Sequence, residues 1–418
     1  MVKETIVKFS TALRRYPRRR IEKIDNVDLV VGIPCYNNDG TIAHVVKTVG
    51  QGLSTYFPRE RSLIIVCDGG STDDSREEAT AIPVEPYIEK LITIYRGVPG
   101  KGSALRGVFE VAEYLDARVC AVCDSDLRSI TPEWIKNLIG PIEQEEYQVV
   151  TPYYRRFKFD GTITNNVVYC LTRALYGRRV RQPIGGDFAF SRKFIKTCMQ
   201  EDVWDTDIGR FGIDIWLTTT AIVKDFRMCQ ARLGVKVHDV KDPGEQLGAM
   251  FRQVVSTLFN LMEEYYDFWK DVKKSKPVEL VGEEPKAEPQ SFPVDKGVLV
   301  ENFKTGFNNF GALWKTIVSK KDFNELQKMA TQGVDDFFMP EDLWVRVLYD
   351  LAATYHHWKK DRYKLIMLMT PIYFARVAHF ITVTENMTDE EAEKVIEGTA
   401  RRFEMEKDYL LERWVAEV

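Results

Sequence analysis

Short apolar runs recur through the first 155 residues, each closed by polar or turn-forming residues. They cover Asp28–Cys35, Ser62–Asp68, Lys90–Arg96, Ala117–Cys123 and Gln148–Tyr154. The runs are nearly continuous rather than alternating, as in strands whose two faces are both covered. Between them, Thr41–Leu53, Ser103–Leu115 and Pro132–Ile139 place apolar residues at helical spacing. Strands alternating with helices predict an α/β fold with a mainly parallel sheet. Right-handed crossovers bring the ends of such strands to one edge, where open sheets of this kind bind ligands.

After about residue 240 the pattern changes. Residues 244–272 predict one long helix, with Leu247, Phe251, Val254, Leu258 and Leu261 on one side. Residues 273–297 carry Pro277, Pro285, Pro289 and Pro293 among many charges and read as a linker. From Val298 onward the spacing is helical, as in Glu341–Lys359. The expected organisation is a basic extension over 1–25, an α/β domain over 26–243, the long helix, the linker, and an all-helical domain over 298–418. Leu365–Thr384 is strongly apolar but contains Pro371, Arg376 and His379, which predicts a buried helix rather than a membrane span.

Composition narrows the classes. A chain of 418 residues with 44% hydrophobic and 29% charged residues has the profile of a soluble two-domain protein. A net charge of −4 gives no reason to expect a nucleic-acid partner. The segment 1–23 holds eight Lys or Arg against two Glu, without the apolar core or cleavage site of a secretion signal. Seven scattered cysteines suit reduced, buried thiols in a cytoplasmic protein. Cys120-x-x-Cys123 has no second pair, and its two side chains face opposite sides of a strand.

Candidate chemistry gathers at the ends of the runs. Asp124 and Asp126 follow the fourth run, one residue apart, so they project together. Paired carboxylates suit Mg²⁺ or Mn²⁺ when phosphates complete the shell, while a solvated turn is the plain alternative. Pro34 to Asn38 follows the first run, and Asp68-Gly69-Gly70-Ser71 the second. Asp68 can accept hydrogen bonds from a base or ribose, although ordinary strand-to-helix turns explain both loops equally well. Lys101 lies between Gly100 and Gly102 at a helix start, where it can meet a phosphate. Gly102 stands where a Walker loop needs a hydroxyl, which weakens a kinase or ATPase reading.

GIPCYNNDGTI, VCDGGSTDDS, GKGSAL and DSD, in this order, resemble the nucleotide-sugar domain of the GT-A glycosyltransferases. QPIGGD at 182–187, FGID at 211–214 and VHD at 237–239 resemble the retaining members that make compatible solutes, namely mannosylglycerate or glucosylglycerate synthase and more distantly glucosyl-3-phosphoglycerate synthase. The resemblance spans about residues 28–260 and implies a GT-A, Rossmann-like domain. It implies that Asp126 and His238 bind a Mg²⁺ or Mn²⁺ ion, with Asp124 on the ribose or in the metal shell. Pro34, Asn38, Asp68, Gly69, Lys101 and Asp124 would line the nucleotide, and Ile184, Gly185, Gly186 and Asp187 the sugar. Relatives commonly have Glu at the positions of Asn38 and Asp187.

Asp214 would lie near the sugar and acceptor, though a helix-terminal charge is its plain alternative. Arg156 would clamp an acceptor carboxylate through paired hydrogen bonds, with Asp160, Thr162 and Thr164 beside it. Phosphoglycerate-using relatives carry Arg where this chain has Thr162, which favours D-glycerate or a similar hydroxy acid. Arg155 or Lys158 could compensate for that missing cation. The implied partners are a nucleoside-diphosphate sugar, the acceptor acid and a second copy of the chain in a homodimer. Asp214, Arg156 and Lys101 would be catalytic. The rivals are a phosphoglycerate-using relative, an inverting family-2-type transferase, and a nucleotide-sugar-binding interaction protein without activity.

Overall fold

Strands form at all the predicted runs, with their ends moved slightly. In the computed structural model, residues 9–237, 246–283 and 287–416 are described. In chain order the strands are β1 (Leu29–Cys35), β2 (Ser62–Asp68), β3 (Ile88–Ile94), β4 (Val119–Val122), β5 (Val149–Arg155), β6 (Arg178–Arg179), β7 (Phe188–Ser191), β8 (Met228–Val235), β9 (Lys276–Pro277) and β10 (Glu279–Val281). Eight of them build one sheet in the order β10-β8-β5-β7-β4-β1-β2-β3. All neighbours are parallel except β7, which runs antiparallel to both β4 and β5. β10 arises within the proline-bearing stretch and adds an edge strand that no apolar run announces.

The chain divides into two compact units that alternate along the sequence. The first holds 1–155, 181–241 and 278–289, and therefore the whole sheet. One face of the sheet is covered by helices Asp39–Tyr56 and Pro132–Glu143. Ile42, Val45, Val46 and Val49 of the former and Ile135, Leu138 and Ile139 of the latter join Val31, Ile33, Ile64 and Val66 in one buried cluster. On the other face lies helix Lys101–Tyr114, which approaches so closely at Gly32 that a Cβ there would lie 2.5 Å from Val108. Burying both faces is what made the strand sequences continuous rather than alternating.

The second unit holds 156–180, 242–277 and 290–418. Its helices are Tyr169–Tyr176, Gln246–Glu264, Tyr266–Trp269, Lys296–Ile317, Lys320–Met329, Glu341–His357, Arg362–Thr384, Asp389–Met405 and Lys407–Val415, with β6 and β9 paired apart from the main sheet. The long helix expected over 244–272 is interrupted at Tyr265. There the Trp269 indole donates 2.7 Å to the Met262 carbonyl, and Trp269 is fully buried.

The apolar helix Arg362–Thr384 is long enough to cross a membrane, yet 72% of its apolar window is buried in the protein. Its polar residues are anchored inside the unit. Arg376 bonds Asn166 at 2.9 Å, Glu341 at 2.8 Å and Thr399 at 2.9 Å, while His379 Nδ1 accepts the Met339 amide at 3.2 Å. All seven cysteines are buried and unbridged.

Candidate functional site

The reversed direction of β7 builds the centre of the site. Phe188 pairs with Val122, so Asp187, just before β7, reaches the same sheet edge as Asp124, just after β4. The Asp124 amide donates 2.8 Å to Asp187 Oδ1. Lys236 arrives at that edge after β8, and Lys101 begins the helix that follows β3. Asp214 sits in the first turn of helix Ile213–Val223.

These groups form one charge network, with Asp187, Asp214 and Lys236 buried and Lys101 and Asp124 partly so. Asp124 bridges the two lysines, with Oδ1 2.8 Å from Lys101 Nζ and Oδ2 2.8 Å from Lys236 Nζ. Each ammonium also donates 2.9 Å to one carbonyl of the glycine pair: Lys101 to Gly186 and Lys236 to Gly185. Lys236 completes its contacts on Asp187 Oδ2 at 3.0 Å. Lys101 lies 3.4 Å from Asp214 Oδ2 and 3.3 Å from Oδ1, an ion pair with a poor hydrogen bond. An ammonium has three donors and no acceptor, so each lysine is saturated. Tyr154 adds its hydroxyl to Asp187 Oδ2 and its ring to Lys236, 5.0 Å from the ring centre.

Burial and charge set the protonation. Burial opposes ionisation of Asp124, but Lys101 and Lys236 outweigh it and hold the carboxyl far below its usual range. Burial likewise opposes the Lys101 ammonium, and Asp124 and Asp214 outweigh it, so Lys101 stays charged. Asp187 and Asp214 are pushed upward, chiefly by burial.

Two glycine segments are sterically required. At Gly186 φ is +95°, and a Cβ would lie 2.0 Å from Asp124 Oδ2. At Gly102 a Cβ would lie 1.9 Å from the Ile208 carbonyl oxygen, and the Gly102 amide donates 2.9 Å to Arg210. The Gly100-Lys101-Gly102 loop is thus shaped to let the 208–210 chain pass. Lys101 itself turns inward to Asp124.

The remaining donor candidates lie on neighbouring loops. Asp68 is fully buried, accepts the Gly70 and Ser71 amides at 2.9 and 3.0 Å, and has Arg76 at 3.5 Å. Much of its capacity therefore serves its own loop. Gly69 is closely flanked: a Cβ there would lie 3.2 Å from both the Tyr36 ring and the Tyr95 hydroxyl. Asn38 Oδ1 accepts the Ser125 hydroxyl at 2.7 Å, tying the loop after β1 to the Asp124-Ser125-Asp126 turn. Pro34 and Ile184 are half-buried.

Asp126 is also half-buried. His238 lies outside the described residues, although its neighbour Val237 is bonded to this loop through the Arg128 amide (2.9 Å) and the Ser129 hydroxyl (2.8 Å). Among the described residues no group of three His, Cys, Asp or Glu is placed to hold a metal. Both Asp124 oxygens already meet ammonium groups. One or two protein oxygens fit Mg²⁺ or Mn²⁺ ions that take most of their shell from phosphates and water.

The acceptor candidates belong to the second unit and form a group of their own. Arg156 lies 3.3 Å from Asp160, and Gly161 (φ +68°) packs against that guanidinium. Thr162 shares a 2.7 Å hydrogen bond with the Tyr373 hydroxyl, and buried Thr164 opens the π-helical turn Thr164–Val168. Lys158 donates to the carbonyls of Thr384, Glu385 and Met387 at 2.8, 2.8 and 2.6 Å, closing the end of helix Arg362–Thr384. Arg155, in the first unit, pairs with Glu288 at 2.7 Å. Neither compensating cation is held in reserve.

Residues 30–197 match the family model described as glycosyl transferase family 2. The chain carries a glycosyl transferase family 2 domain. Together with the mainly parallel sheet, this is the GT-A class expected from the motifs. The match includes Lys101, Asp124, Asp126, Arg156 and Asp187, while Asp214 and Lys236 lie beyond it.

The chain is similar to glucosyl-3-phosphoglycerate synthase of Mycobacterium tuberculosis, 28% identical over 253 residues, which cover 55% of this chain and 72% of that protein. The synthase of Mycolicibacterium paratuberculosis is 26% identical over 253 residues, covering 55% and 71%. Among solved structures, the M. tuberculosis synthase with Mn²⁺, UDP and glucosyl-3-phosphoglycerate aligns with a TM-score of 0.45 and 27% identity, covering 56% of this chain and 79% of that one. These relatives are the enzymes whose resemblance the motifs placed at greater distance. The family match and these relatives support a nucleotide-sugar glycosyltransferase.

Sequence reasoning gave no role to Lys236, to Tyr154, or to Gln182, although Gln182 opens the QPIGGD motif. Gln182 locks the Tyr154 backbone in both directions, at 2.9 and 3.0 Å. The available signal for Lys236 was a lone lysine between two valines at a strand end.

Proposed function

We propose that the chain transfers a hexose from a nucleoside-diphosphate sugar to the hydroxyl of glycerate or a similar small hydroxy acid, with retention of the α configuration. The observation that carries this reading is the Lys101–Asp124–Lys236–Asp187 network beneath the Gly185-Gly186 turn. It ties the Gly185-Gly186 turn to the Asp-x-Asp loop, where the sugar would lie on this reading. Asp124, Asp126 and His238 would hold Mg²⁺ or Mn²⁺, which neutralises charge on the departing diphosphate when bound. The relatives' solved complexes contain Mn²⁺ or Mg²⁺ with UDP, which supports the same ions here.

The protein's own part is positioning and charge stabilisation. Lys101 can exchange its longest contact, 3.4 Å to Asp214, for a diphosphate oxygen while keeping Asp124 and Gly186 in place. Retention is supported by the state of Asp187. It is fully buried, with Oδ1 on the Asp124 amide and Oδ2 on Tyr154 and Lys236, so it is poorly placed to act as a base for inversion. On this reading the leaving phosphate takes the proton of the acceptor hydroxyl. Arg156 holds the acceptor carboxylate.

Glycerate is favoured by the uncharged Thr162 and by the commitment of Lys158 and Arg155 to other partners. The second reading, 3-phosphoglycerate, is favoured by the activity named for the mycobacterial relatives. The test is a screen of UDP-, GDP- and ADP-sugars against glycerate, lactate and 3-phosphoglycerate. Products are read by mass and their anomeric signal by proton NMR. A β-linked product overturns retention, and a tenfold preference for 3-phosphoglycerate overturns the choice of acceptor.

A further inference from the structure

Lys236 belongs to no motif and lies outside the family match, yet its ammonium makes three hydrogen bonds at the centre of the site. Its side chain is 4% exposed. The ammonium touches Asp124 Oδ2, Asp187 Oδ2 and the Gly185 carbonyl at 2.8, 3.0 and 2.9 Å, over the Tyr154 ring. Those acceptors come from two segments: the loop after β4 and the Gly185-Gly186-Asp187 turn that leads into β7. Without the ammonium, the Asp124 and Asp187 carboxylates would face each other at low dielectric, and the Gly185 carbonyl would lose its donor.

We infer that Lys236 is a positioning residue for transfer: it locks the Gly185-Gly186 turn and the Asp124 loop into one rigid block, so that the sugar floor is fixed relative to the Asp-x-Asp carboxylates. This rests on the proposed transfer reaction and names a residue that sets its geometry. Lys101 cannot replace it, because Lys101 is saturated on the opposite oxygen of Asp124. Its three hydrogen bonds to Asp124, Gly185 and Asp187 join the Asp-x-Asp loop to the sugar-side turn. Losing Lys236 should therefore impair turnover more than nucleotide affinity.

The experiment compares wild type with Lys236→Met and with the charge-balanced pair Lys236→Met/Asp187→Asn. In the pair, an amide replaces one carboxylate and supplies a donor. Each protein is measured for thermal midpoint, for UDP or GDP affinity by calorimetry, and for kcat and donor KM. Lys236→Met is expected to lower kcat by about 10²-fold, the scale of an ångström-level misplacement, with nucleotide affinity within threefold. The pair is expected to recover at least tenfold of the lost kcat. If Lys236→Met does not fold, a folded pair whose kcat is within tenfold of wild type supports the inference.

A folded Lys236→Met with kcat within threefold of wild type overturns it. So does a pair whose thermal midpoint and kcat are no better than those of the single variant, or a pair that fails to fold. A wild type inactive with every donor overturns the transfer reading instead. The block is then decided by thermal midpoint alone: it stands if the pair is more stable than Lys236→Met and falls if it is not.

Discussion

Adding one methyl group at Gly186 should break the site and weaken the fold. Alanine there must hold φ near +95°, a conformation that costs a residue with a Cβ about 1–2 kcal/mol. Its Cβ would also lie 2.0 Å from Asp124 Oδ2, well inside contact distance, and 3.0 Å from Lys236 Nζ. Relief requires the carboxylate to move by roughly an ångström, which gives up its 2.8 Å bond to Lys236, a charge-assisted contact of about 1.5–3 kcal/mol. The sum, ~3–5 kcal/mol, is a large fraction of a typical folding free energy of ~5–15 kcal/mol.

Urea unfolding measures the stability, and transfer kinetics on the folded protein measure the site. There kcat should fall on the order of 10²-fold, because the displaced group lies at the centre of the network. Gly398→Ala is the control. That residue lies on an exposed helical face with nothing within 4 Å of its Cβ position, and alanine there should stabilise by ~0.5–1 kcal/mol. If Gly186→Ala stays within 1 kcal/mol of wild type and keeps its turnover, the turn relaxes without disturbing Asp124 and the rigid-floor argument is wrong.

Activity should disappear in excess EDTA and return with Mg²⁺ or Mn²⁺, and Asp126→Ala should lose on the order of 10²-fold or more in turnover. Undiminished transfer by Asp126→Ala in chelator would refute the assignment. Arg156→Ala should lower kcat/KM for the acceptor by ~2–4 kcal/mol while donor hydrolysis changes little. Thr162→Arg should raise the 3-phosphoglycerate to glycerate ratio of kcat/KM, and a falling ratio would count against the assignment of that position. Burial opposes the charge of Glu341, but Arg376 and His379 prevail and pull its carboxyl down to about 2 from an ordinary 4.5. A folded-state value below the unfolded one gives stability that is present above pH 4.5 and drains away toward pH 2. Glu341→Gln should therefore flatten the acid limb of urea midpoints measured from pH 5 to 3, and parallel curves would refute the pairing.

The strands were legible because burial on both faces leaves unbroken apolar runs, and a run ending in polar residues marks the sheet edge. Asp124 could be singled out because it borders such an end and Lys101 because it opens the helix after one, while Asp214 came only through the family resemblance. Lys236 could not, since its meaning depends on β8 lying beside β5 and β5 beside β7, pairings set by distant segments. The glycines around Lys101 also make room for the passing 208–210 backbone, a contact no local pattern encodes. Lys158 looked like a spare cation for the same reason: the helix end it closes lies 226 residues later. The three-residue β10 is too short to leave any periodicity.

The interleaving of the two units dictates an order of events during synthesis. Arg173 is buried to 2% exposure, and its partners Glu397 and Glu404 come 224 and 231 residues later. Until the ribosome has made nearly the whole chain, that guanidinium has neither counter-charge, and the segment 156–180 has no finished helical unit to join. The sheet waits less, needing only β10 after residue 278. Shortening the gene from its 3′ end should therefore not release a soluble sugar-transfer domain. It should strand an apolar helical segment with a cation that has lost its partners in the middle of the product, visible as loss of soluble protein even when every residue of the sheet is retained.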